Sequence, residues 1–83
     1  MKTIILRKPK FMRNDKWMLG LMETASSCAD AASIMQKHDD IEACYEFMSK
    51  AGDCLNLAAK AGGFFRTKDF FRWLELQKEH QSN

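Results

Sequence analysis

Few residues in this 83-residue chain are of types that do chemistry. His38, Asp39, Asp40, Glu42 and Cys44 crowd one short stretch, and such side chains can ligate metal or move protons. No pair among them has a recognised zinc or calcium spacing, and acids beside a helix start serve equally as caps. Cys28, Cys44 and Cys54 are the three thiols. An odd count with no CxxC pair argues against a disulfide scaffold or a zinc ribbon. The gap between Cys44 and Cys54 fits one half of a twin-Cx9C framework, but Cys28 alone cannot supply the other half. Each thiol falls on an apolar helix face, where cysteine behaves as a small hydrophobe. Gly62-Gly63 runs into Phe64 without the Lys-Ser/Thr that a phosphate loop requires. His80 stands in a polar tail. The expectation is a protein that is not an enzyme and holds no cofactor and no metal.

Two other groups have the chemistry of recognition. The first is the basic arm around Lys8, Lys10, Phe11 and Arg13, where cations interleave with an aromatic as in phosphate-and-base contacts. The second is a run of aromatics: Phe64, Phe65, Phe70, Phe71 and Trp73 are five of the nine in the chain. Adjacent aromatics at 64–65 and 70–71 cannot all face one way, so a mixture of core and interface is expected. Phe64, Phe65, Phe71 and Trp73 join the four arm residues as expected partner contacts.

The elements that must position these groups follow from periodicity. Residues 15–37 lack proline, follow the cap-type Asn14, and place Met18, Leu21, Ala25, Cys28, Ala32 and Met35 at alternating steps of three and four. Residues 40–61 repeat the pattern with Ile41, Cys44, Met48, Ala51, Leu55 and Ala58. Asp39 with Glu42 resembles a capping box, and Gly62-Gly63 is a stop. Folding one helix on the other about His38 pairs every seam residue with the one whose number adds to 76, which predicts an antiparallel hairpin. Thr67 can cap a third helix over 68–79. Thr3 to Arg7 is β-branched and apolar, a strand without an evident partner, and Pro9 ends it.

Charge divides the same way. Residues 1–16 hold six bases against Asp15, residues 17–61 hold three bases against seven acids, and the remainder is mixed. The acidic outer face of Glu23, Asp30, Glu42, Glu46 and Asp53 also admits mimicry of nucleic acid toward a basic partner. Net charge is +2 and mean hydropathy −0.42, ordinary for a globular domain. The first apolar run is too short for a secretory leader, and nothing approaches a membrane span, so a cytoplasmic protein with reduced thiols and no membrane contact is expected. The expected organisation is a basic extended arm over 1–14, one helical domain over 15–79 and a frayed tail over 80–83.

The fold class expected is all-α: an antiparallel helical hairpin, a shorter third helix and an extended N-terminal arm, completed by dimerisation. Trp17 and Phe47 broaden the hairpin's apolar stripe beyond one seam, and a chain this short buries a limited core. The expected dimer interface is Ile4, Ile5, Leu6, Trp17 and Phe47, with the N-terminal arm exchanged between copies. Closed two-fold pairs are the commonest assemblies. The function expected is a protein-interaction module of the small regulator or inhibitor type, a class frequent among accessory and phage-encoded proteins. The alternative is a nucleic-acid binder using the basic arm.

Overall fold

A computed structural model describes residues 6–81. A single 3-10 turn, Lys10–Met12, precedes three helices, α1 (Asp15–Lys37), α2 (Ile41–Ala61) and α3 (Thr67–Gln81). The described residues contain no strand, only an isolated antiparallel bridge between Arg7 and Phe64. Ile4 and Ile5 lie outside the described residues.

α1 begins where its cap dictates. The Asn14 side chain accepts from the Trp17 backbone N–H at 3.0 Å, and Asp15 stands in the first turn, where the helix dipole favours a carboxylate. The helix ends as the chain reverses: the His38 N–H reaches the Ile34 and Met35 carbonyls, and the Asp40 N–H bonds the Met35 carbonyl at 2.9 Å. The reversal puts Asp39 at φ 59, a left-handed conformation that Asp tolerates better than most. That corrects the start of α2. Asp40, rather than Asp39, is the cap, and it accepts from the Ala43 N–H at 3.2 Å. A cap residue needs negative φ, which Asp39 has given up to the turn, so no capping box with Glu42 forms.

α1 and α2 pack closely as a hairpin. Met18, Ala25, Ala32 and Ala58 are buried, and Leu21, Cys28, Met35, Cys44, Ala51 and Leu55 are half-buried, as the seams predict. Ile41 and Met48 depart from that expectation, since both are exposed. Ile41 is the first residue of α2, so its Cα–Cβ bond points back past the helix end into solvent. Met48 is long beside the small Cys44 and Ala51, and it lies over the groove between the helices with its sulfur 4.0 Å from Cys44 Sγ.

The core gathers at the other end of the hairpin, where α1 begins and α2 ends. Met18, Ala58, Ala59, Phe64 and Phe70 form one buried cluster, with Leu21, Met22, Leu55, Ala61, Trp73 and Leu74 packed against it. α2 closes at Gly62, where a Cβ would overlap the Met18 sulfur. Gly63 follows at φ 83, and a Cβ there would sit 2.7 Å from Arg13 Cβ, so both glycines are required by close approach. Phe64 meets Phe70 edge-on at 5.4 Å between ring centroids and Trp73 at 5.5 Å. Phe70 is fully buried.

α3 begins one residue earlier than expected and runs two residues further, through Gln81 into the expected tail. Thr67 is its first residue rather than its cap. The Arg66 carbonyl accepts the first helical bonds, and the Thr67 hydroxyl donates to Asn56 Oδ1 at 3.3 Å, tying α3 to α2. Asp69 is buried and ion-paired to Arg66 Nε at 3.2 Å.

Candidate interaction surface

The basic arm is a structural strap at one end and a free surface at the other. Arg7 donates from Nε and Nη2 to the Gly62 carbonyl at 3.1 and 3.0 Å, and from Nη2 to Asp15 Oδ1. Its guanidinium also lies 4.9 Å from the Phe64 ring centroid and 5.2 Å from that of Trp73. One planar cation thus caps the C-terminus of α2, pairs with the first turn of α1 and covers two aromatics, a combination a lysine cannot make. The Lys8 N–H bonds the Gly63 carbonyl, and the Asn14 N–H bonds the Ala61 carbonyl at 2.6 Å. At Arg7 and Lys8 the arm meets the chain's own linker, while Ile4 and Ile5, expected to pair with a second copy, lie outside the described residues.

The expected contact residues separate accordingly. Arg13 is half-buried, 3.6 Å from Asp15 through Nε, and Lys8 packs on Gly63. Phe64 is 3% exposed and belongs to the core, and Trp73 is half-buried against it. Those four are drawn inward. Lys10, Phe11, Phe65 and Phe71 face solvent, with Phe11 87% exposed. Of the expected dimer contacts, Trp17 is 67% exposed, Phe47 is half-buried with Lys50 Nζ 5.6 Å above its ring, and Leu6 is half-buried.

A third exposed apolar region joins Ile34 and Tyr45, which flank the seams in the sequence, to Ile41 and Met48, seam residues that the structure leaves in solvent. Ile34, Ile41, Tyr45 and Met48 are exposed around the end of the hairpin near His38. Beside them a shallow groove of about 430 Å³ runs between α1 and α2, lined by Ala29, Ala32, Ser33, Cys44, Met48 and Gly52 among others. A second groove of about 400 Å³ lies along α1, lined by Lys16, Trp17, Gly20, Leu21 and Thr24. The signal for both was the pair of mid-helix glycines. A Cβ on Gly20 or Gly52 would meet nothing within 4 Å, so neither glycine is demanded by the chain's own packing.

Among the described residues no three of His, Cys, Asp and Glu converge into a metal-binding group. No helix there is long and apolar enough to cross a membrane. The arrangement offers apolar and aromatic contact area bordered by charge. No protein-family model, curated protein or solved structure gives a significant match to the chain.

Proposed function

We propose that this chain is a non-catalytic helical interaction module that acts as a regulator or inhibitor by occupying the surface of another protein, and that it works as a homodimer. The observation carrying this reading is the amount of large apolar surface left outside: Trp17, Tyr45, Met48 and Phe65 are each more than half exposed on a small core. Large apolar side chains left in water in this number are characteristic of interaction surfaces, whose centres are enriched in aromatics and Met.

The test is capture of a defined partner from a lysate of the parent cell, repeated with Phe65→Ser/Phe71→Ser. The reading expects one protein retained by the native chain and lost with the variant. Equal recovery by both would contradict it. Nucleic-acid binding is the second reading, and exposed Phe11 beside exposed Lys10 favours it. It requires an affinity for mixed-sequence DNA or RNA that falls steeply with salt. Of the four residues expected to contact nucleic acid, Lys8 and Arg13 are half-buried and Lys10 and Phe11 are exposed.

A further inference from the structure

Beside the buried seam of α1 runs a second stripe with the same alternation of three and four: Trp17, Gly20, Thr24, Ser27, Ala31 and Ile34. It faces outward along most of the helix. Trp17 and Ile34 are 67% and 51% exposed, Gly20, Thr24 and Ser27 are exposed, and Ala31 is half-buried. α3 lies elsewhere: its Trp73 and Leu74 line a groove with Leu19 and Met22, and Met22 is turned about 140° around α1 from Trp17. The stripe carries no charge, whereas the neighbouring exposed positions Glu23, Asp30 and Lys37 do. Its Thr24 hydroxyl already donates to the Gly20 carbonyl at 3.0 Å, so that polar group can leave water at little loss.

The order of sizes along the stripe is large, four small, large. Turned end for end it matches itself: positions adding to 51 pair Trp17 with Ile34, Gly20 with Ala31 and Thr24 with Ser27. Charge selects the same direction. Lys10 and Lys16 stand at the end of the hairpin where α1 begins, while Asp39, Asp40, Glu42 and Glu46 outnumber Lys37 at the turn. The described ion pairs all lie at the basic end, none among those four acids. Parallel copies would set like charges together, and antiparallel copies set each basic end beside an acidic turn twice.

We infer that the occupant of this face is a second copy of the chain, packed two-fold and antiparallel with α1 against α1, each Trp17 seated over the partner's Ile34 and the backbones brought close at Gly20. Phe47, on the same side of α2, flanks the contact. The inference rests on the homodimer proposed above and adds its face and direction.

Sedimentation equilibrium on the full chain tests it with Trp17→Glu, Ile34→Lys, and the two combined. Both side chains are exposed, so the fold survives either change, which circular dichroism confirms. Each single variant is expected to weaken dimerisation at least tenfold. The combined variant sets opposite charges across both symmetry-related contacts and is expected to recover most of that loss. Gly20→Gln, in a helix it does not destabilise, is expected to weaken the dimer as well. A native chain that stays monomeric at high micromolar concentration overturns the homodimer itself. A native dimer untouched by the single variants, or not recovered by the combination, overturns the face and the direction while leaving the homodimer standing.

Discussion

The two ends of the hairpin are built from the same pair of helices and differ in what covers them. At the end where α1 begins and α2 ends, α3, the Gly62-Gly63 turn and the strap from Arg7 to Asn14 enclose Met18, Phe64 and Phe70. At the turn end, two helices meet alone. There only small residues such as Ala25 and Ala32 are buried, and Ile34, Tyr45 and Met48 remain in water. Helix pairs without a third wall bury one stripe each and leave the flanks open. The closed end therefore holds the fold, and the open end and the outer face of α1 are left for contact with something else.

Substitutions at the two ends should separate by magnitude. Phe70→Ala removes the one large side chain that is fully buried among the described residues and is expected to lower stability by about 3–5 kcal/mol, read by urea denaturation. Ile34→Ser at the open end is expected to stay within about 0.5 kcal/mol under dilute, monomeric conditions. Equal losses at both would erase the distinction between the ends. Arg7→Met keeps bulk but removes the donors to the Gly62 carbonyl and leaves Asp15 only its longer contact with Arg13. A loss of about 1.5–3 kcal/mol is expected, and Arg7→Lys should recover little of it, because the fork and the planar stack are both needed. Full recovery by lysine would reduce the strap to a simple charge effect.

Within the seam, Ala25→Leu overpacks a layer where the helices approach closely, at about 1–3 kcal/mol. An unchanged melting temperature would place Ala25 outside the seam. The smallest effect has the opposite sign. Gly20→Ala adds a methyl into open space on a helix and should stabilise the dilute monomer by about 0.5–1 kcal/mol. A destabilised monomer would mean that Gly20 answers to a contact within its own chain.

Local signals explain why much of this fold was legible. Asn14 and Asp15 set the start of α1, the run of three-and-four steps set its course, and Gly62-Gly63 stopped α2. Each acts within a few residues. The misread features depend on tertiary partners. Asp39 and Asp40 are interchangeable as caps until the turn geometry assigns positive φ to one of them. Thr67 reads as a cap, but Asn56, eleven residues away, engages its hydroxyl. The strap at Arg7 spans 55 residues to Gly62, and no periodicity carries that information. The surface was half legible. Composition placed aromatics between 64 and 73, but only packing shows that Phe64 goes inward while Phe65 and Phe71 stay out.

Native-state hydrogen exchange at two protein concentrations measures the contrast directly. Amides of Ala58 to Phe64 and of α3 around Phe70 should be protected to a similar degree at low and high concentration, because their cover comes from the same chain. Amides of α1 from Ala31 to Met35, at the open end, should exchange at least tenfold faster in dilute solution and slow as the dimer forms. Equal and concentration-independent protection at both ends would contradict the account, since the open end would then need no second body to hold it.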